Sequence, residues 1–406
     1  MEQLGVVDRR DKSPVDGIVI DQWVQRDLEN RGTVLLPNLR SIFASSKDLL
    51  HTYLFLSPKV THLQLMMHPR HMNQLIALTV NIPEKSPDVK VLRLSQSAGW
   101  DEADRNDYYH ILGYLLADLQ LEELHCDWIP LSRDMTRDLL AMPTLKVLNI
   151  YRELRGLKAD LEAQPPTTTR LEQLYLTIDR INIHLLSQII PLLLPSKLKV
   201  FSVISKFGTP VAEEVSDLFS SIGRHCMAEH LTDLILDHTS LSAMVSMPRA
   251  GSIRFDALKP LLPLSNLRVV SLTSYSIDMT DDDTNELAKS WPHLEKLEFY
   301  TGRSFDKVRT TLKSLLHFAA FCPKLDDLTF RFEEDEDIKK VPVDEVEAAE
   351  GHSLRFLSVG YSIIKEPTSV ADFLNFVFPM LSNLSVHPDN SASEQWDEVQ
   401  ETFQWR

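Results

Sequence analysis

The sequence predicts an α/β solenoid of short parallel strands alternating with helices, and three observations predict it. A triplet of apolar residues at positions i, i+3 and i+5 recurs thirteen times between Leu39 and Val386. Proline stands two residues ahead of seven of these triplets, at Pro37, Pro58, Pro87, Pro143, Pro292, Pro323 and Pro379. Between triplets the chain is long enough for the crossover connections that parallel strands require, and several of these segments carry apolar stripes at helical spacing.

The triplets begin at Leu39, Val60, Val89, Leu121, Leu145, Leu171, Leu198, Leu231, Leu267, Leu294, Leu325, Leu354 and Leu381. Their mean spacing is 28.5 residues, with steps from 21 to 36, so the period is that of a leucine-rich repeat with insertions of varying length. The clearest unit is Lys289 to Phe299, with Pro292, Leu294, Leu297 and Phe299; Ala320 to Phe330 repeats it with Pro323, Leu325, Leu328 and Phe330. In a strand, positions i+3 and i+5 face one side while i+2, i+4 and i+6 face the other. The expected architecture is therefore a leucine-rich-repeat solenoid, or horseshoe, with parallel strands on its concave face and helices on its convex face.

In chain order, residues 1–34 place Val15, Ile18, Val19, Trp23 and Leu28 at roughly helical spacing, as a cap over the first repeat would need. Residues 35–388 form the repeat domain. Within it Arg105 to Leu119, Val211 to Ile222, Asp283 to Trp291, Asp306 to Phe321 and Ser369 to Phe378 read as helices. The fourth carries Val308, Leu312, Leu315, Leu316, Phe318 and Ala319 as one stripe. Thr280 to Asp283 offers N-caps for the third, with acidic residues suited to the positive end of its dipole. Ala163 to Thr169 and Met244 to Ser252 read as loops, and Glu333 to Asp337 as a solvated insertion. Residues 389–406 make a C-terminal cap or tail around Trp396, Val399 and Phe403.

Composition bounds the function. With 42 basic and 58 acidic residues the formal charge is −16, which repels nucleic-acid backbones and anionic membranes. Three cysteines, Cys126, Cys226 and Cys322, are too few and too scattered for a disulfide framework or a zinc site. The opening residues lack the apolar core of a signal peptide, and the most apolar window, Ile181 to Phe201, is broken by polar residues and prolines. The expected location is cytoplasmic or nuclear. Only 12 glycines are present, and no nucleophile elbow, His-Glu-x-x-His or phosphate loop is found, so neither an enzyme nor a cofactor is expected. His225, Cys226 and His230 lack a fourth ligand or an orienting acid at a familiar spacing.

The strand positions opposite the core are the candidate binding surface. Over 39 such positions nine are charged, six acidic and three basic, so the surface is mildly acidic. Val200, Ile204 and Ile235 make its centre more apolar. Because interface anchors are enriched in Tyr and Arg, the partner-binding candidates are Arg93, His125, Asp127, Tyr151, Tyr175, Asp237, Glu298, Tyr300 and Arg331.

The run Asp256 to Leu267, the stretch Leu287 to Leu297 and the segment Phe321-Cys322-Pro323-Lys324-Leu325 together resemble the repeats of fungal F-box leucine-rich-repeat proteins. The resemblance covers residues 35–388 and is most specific between 256 and 330. It implies a substrate-recognition subunit that holds a protein target on its concave face and joins Skp1 and a cullin ubiquitin ligase. The F-box itself is not found. An F-box places its Ile-Phe pair seven residues after the proline of a Leu-Pro opening, whereas Pro37 precedes Ile42-Phe43 by five. The expectation is a non-enzymatic protein-binding module, either such a subunit or a relative lacking the F-box. The alternative is a regulatory scaffold of the ribonuclease-inhibitor or GTPase-activator type, unconnected with ubiquitin.

Overall fold

Each apolar triplet becomes the buried side of a strand. The computed structural model describes residues 36–45, 49–68, 72–96, 112–116, 118–130, 133–151, 158, 170–180, 183–193, 197–207, 212–226, 228–238, 253–273, 277–299, 308–334 and 352–402. The N-terminal segment 1–34, the loops at 163–169 and 244–252, and Tyr300 lie outside them. The chain divides into two compact units, Met1–Arg152 with Ala159–Leu171, and Glu153–Lys158 with Glu172–Arg406.

In the first unit the strands β1 (Ser41–Ala44), β2 (His62–Met67), β3 (Val91–Gln96), β4 (Glu123–Pro130) and β5 (Val147–Tyr151) are parallel and lie in sequence order. Their register sets Ile42, Leu63, Leu92, Leu124 and Leu148 in one row. Each is the i+3 residue of its triplet. The helices α1 (Leu49–Thr52), α2 (Met72–Lys85) and α3 (Arg133–Ala141) form connections.

The second unit continues with β6 (Gln173–Arg180), β7 (Val200–Phe207), β8 (Asp233–His238), β9 (Ile253–Arg254), β10 (Val269–Leu272), β11 (Ile277–Asp278), β12 (Lys296–Phe299), β13 (Asp327–Thr329), β14 (Phe356–Gly360) and β15 (Asn383–Val386). The short β9 and β11 pair with each other; the other eight form one parallel sheet in sequence order. Its i+3 row is Leu174, Phe201, Leu234, Val270, Leu297, Leu328, Leu357 and Leu384. Connections are α4 (Ile183–Leu193), α5 (Ala212–His225), α6 (Asp281–Ser290), α7 (Leu312–Phe321) and α8 (Pro367–Val377), and α9 (Ser393–Thr402) follows the last strand. Thirteen parallel strands thus repeat one unit, five in the first body and eight in the second.

Of the 39 triplet positions, 38 are buried, and the exception is the half-buried Val386. Its exposure has a local cause. The register between β14 and β15 shifts after Ser358, so that Val386 pairs with Gly360 rather than with the triplet residue Val359. Gly360 has φ 54°, a left-handed conformation that only glycine adopts without steric cost.

The seven prolines share one role. In every case the first triplet residue donates its amide to the carbonyl three residues back, as in Leu39 to Leu36, Val60 to Ser57, Leu294 to Trp291 and Leu325 to Cys322. The proline therefore sits at the second position of a four-residue turn, where its fixed φ is already correct and no amide is needed. The same turn precedes each of these strands.

Helix boundaries shift from the sequence expectation for identifiable reasons. The third helix starts at Asp281 because Thr280 forms a capping box with Asp283. The fourth starts at Leu312 rather than Asp306, because Thr311 turns its side chain onto the Lys313 amide and caps the helix there. The helices α1, α2, α3 and α4 lie outside the segments that read as helical in the sequence, and α2 and α4 each hold a proline, Pro83 or Pro191, within the last turn. Glu333 and Glu334 are not solvated insertion. Glu334 is buried and accepts the amides of Lys365 and Glu366, tying one repeat to the entrance of α8 in the next.

Candidate partner-binding face

The two sides of the strands differ in kind. The triplet side is sealed, whereas the opposite positions stay half-buried or exposed along most of each strand. In the first unit Arg93 is exposed on β3, and its register partner on β4 is the half-buried His125. Asp127 lies farther along β4, opposite Ser95, and Tyr151 is the half-buried last residue of β5. In the second unit Tyr175, Asp237 and Glu298 are half-buried on β6, β8 and β12, and Arg331 follows β13. The candidates thus fall into two groups, one in each unit.

Several are held by neighbours. The Tyr175 hydroxyl donates to Gln173 Oε1 at 3.1 Å, and Asp237 Oδ1 accepts from Thr273 Oγ1 at 2.6 Å. Glu298 shares a cation with the next repeat: Lys296 Nζ lies 2.8 Å from Glu298 Oε1 and 3.0 Å from Asp327 Oδ2. Burial opposes the charge on Lys296, but the hydrogen bonds to the two carboxylates hold its pKa above the usual lysine value.

The structure adds a row that alternation alone does not reveal. The i+1 residues of several triplets carry charges of opposite sign in neighbouring repeats and pair across them. Glu122 accepts from Lys146 at 2.6 Å and from Lys90 at 2.8 Å, and these hydrogen bonds lower its pKa to about 2. Lys199 meets Glu172 at 2.6 Å, Arg268 approaches Glu295 at 3.6 Å, and Arg355 engages Asp326 with Nη2 2.8 Å from Oδ2. The signal was present in the sequence, since charges one register step apart recur at the repeat period. The i+2, i+4 and i+6 positions alone do not carry it.

Cys322 is buried, its Sγ 3.5 Å from the Ala288 carbonyl oxygen, and burial pushes its thiol up to about 12. Burial does the same to Cys226, while its neighbour His225 is exposed. Among the described residues no group of three or more His, Cys, Asp or Glu could hold a metal ion. A cleft of about 320 Å³ beside β15 and α9 is lined in part by His387, Asp397 and Gln400. There His387 Nδ1 accepts the Asp389 amide at 3.2 Å while its ring stacks on Tyr361 at 4.3 Å. Among the described residues no helix is long and apolar enough to cross a membrane.

No family model matches the chain, and no curated protein matches it by sequence. Among solved structures it is similar to a chain in the crystal structure of the Rad7 and Elc1 complex in yeast. The identity is 15%, over 90% of this chain and 84% of that one, with a TM-score of 0.47.

Proposed function

We propose that the chain is a non-enzymatic protein-binding module whose repeats are leucine-rich repeats arranged as a horseshoe, with the target held on the strand face. The observation that supports this reading is the contrast between the two sides of the same strands. The triplet side is sealed, and the other side offers rows of half-buried polar, aromatic and aliphatic residues. A broad, mixed surface of this kind suits a protein partner better than a small substrate, which needs a closed pocket.

The resemblance of the repeats to fungal F-box leucine-rich-repeat proteins extends this proposal to substrate recognition for a Skp1-cullin ubiquitin ligase, in the cytoplasm or nucleus. Affinity capture from fungal extract with the wild-type chain and with Tyr175→Ala plus Glu298→Arg tests the face. Loss of specific partners is expected, and an unchanged partner set overturns the assignment. Purified Skp1 tests the ligase step separately. Failure to retain Skp1 removes ligase attachment and leaves the protein-binding reading standing.

A further inference from the structure

The middle of the second unit's strand face has a composition of its own. On β8 the outward residues are Asp233, Ile235 and Asp237. Register places Val200 and Val269 on either side of Asp233, and Ser202 and Ser271 on either side of Ile235. Both serines are buried, at 2% and 5% exposure. Ile235 therefore stands between two small buried side chains, with a carboxylate above and below it along the strand.

These two carboxylates differ from the others nearby. Glu172, Glu295, Glu298, Asp326 and Asp327 each face a lysine or arginine. Asp233 and Asp237 have only hydroxyl partners among the described residues: Thr232 Oγ1 at 2.5 Å and Thr273 Oγ1 at 2.6 Å. The hydroxyls orient the carboxylates without neutralising them. The aspartates are four residues apart on one strand, a separation of roughly 13 Å at about 3.3 Å per residue. The formal charge of −16 adds long-range attraction for cations and disfavours nucleic acid and anionic lipid at this surface.

We infer that this patch receives a basic segment of a protein partner in extended form, with two Lys or Arg side chains on Asp233 and Asp237 and an apolar side chain over Ile235. The inference rests on the proposed protein-binding role of this face and names the chemistry of what it binds. An extended segment repeats side chains on one side every two residues, so basic residues four apart with an apolar residue midway match the spacing of the patch. Desolvation by Val200 and Val269 beside Asp233, and by Ile204 beside Asp237, strengthens each new ion pair beyond its value at an open surface.

A displayed library of random twelve-residue peptides, selected on the full chain at low salt, tests this. Enriched peptides are expected to carry two basic residues four apart. They should bind Asp233→Asn plus Asp237→Asn about tenfold or more weakly, while Glu398→Gln, an exposed change on α9, has no effect. The asparagines keep the side-chain shape, and thermal unfolding of each variant confirms that the fold survives. Enriched peptides without basic residues, or basic peptides bound equally by the double variant, overturn the inference. If such peptides still lose binding to Ile235→Arg, the protein-binding reading of the face stands and only the basic partner falls. If no enriched peptide responds to Ile235→Arg, both fall.

Discussion

His352 Nε2 lies 2.8 Å from the carbonyl oxygen of Cys322, one repeat earlier, while its Nδ1 accepts the Leu354 amide at 3.1 Å. The two contacts fix the neutral ring with its proton on Nε2. Burial lowers the pKa below the usual histidine value, outweighing the Cys322 hydrogen bond that raises it. The folded state thus binds fewer protons than the unfolded state, so this contribution to stability is present above about pH 6.5 and is lost as pH falls through the folded pKa. Urea unfolding of the wild type and His352→Gln at pH 7.5 and 5.5 should show the variant losing less stability on acidification. Equal losses would mean that the ring is not buried in neutral form.

Gly223 and Gly113 should respond oppositely to alanine. A Cβ on Gly223, inside α5, would meet the Pro260 carbonyl oxygen at 2.1 Å, whereas one on Gly113 meets nothing within 4 Å. Alanine at Gly113 is expected to stabilise by up to about 1 kcal/mol through helix propensity. At Gly223 the helix must move off the 3₁₀ turn Lys259–Leu261, and overpacking of this kind costs about 1–3 kcal/mol. Denaturant midpoints of the two variants decide it, and stabilisation of both would contradict the close approach.

The core was legible in the sequence because the triplet is both the repeat signature and the buried row, so Leu63, Leu234 and Leu297 could be placed before any coordinates. Prolines such as Pro292 and Pro323 were legible as markers but not as turns, since the hydrogen bond that closes each turn is a backbone feature. What sequence could not give was polar contact across repeats. Glu334 sits in an acidic run that looks solvated, and only the approach of Lys365 and Glu366 gives it partners. The border charges around Glu122 were missed for a related reason. Their pairing depends on strands being neighbours, whereas alternation within one strand reports only which way a side chain points. The face candidates divide similarly, since Arg93 and His125 proved adjacent by register while Tyr300 lies outside the described residues.

Asp281 joins consecutive helices. Its carboxylate accepts from the Thr311 amide at 2.8 Å, the Thr311 hydroxyl at 2.8 Å and the Ser314 hydroxyl at 2.5 Å. It therefore caps α7 from the first turn of α6. Asp281→Ala should cost about 2–3 kcal/mol, the range for hydrogen bonds to a charged acceptor whose donors are left unpaired. A double-mutant cycle with Ser314→Ala should give a coupling of about 1 kcal/mol or more in urea unfolding. Additive effects would show that the two side chains act independently.

The buried thiols supply a test of packing that needs no substitution. Cys322 sits at the end of α7 with its Sγ near the carbonyl oxygens of Ala288 and Trp291, and its pKa is pushed up to about 12. At pH 8 only about one such thiol in ten thousand is ionised, and the thiolate is the species that reacts. Cys226 has the same displaced pKa, and Cys126 lies in the buried triplet row. A thiol reagent added to the native protein at pH 8 should therefore leave the buried Cys126 and Cys322 unmodified over a time in which a small free thiol reacts completely, with the half-buried Cys226 as the internal comparison. Addition of urea should release Cys322 as the second unit unfolds and Cys126 as the first does, each in a single step if its unit unfolds cooperatively. Fast modification of Cys322 in the native protein would show that the junction between α6 and α7 opens without global unfolding, and would remove the basis for treating these repeats as one packed body.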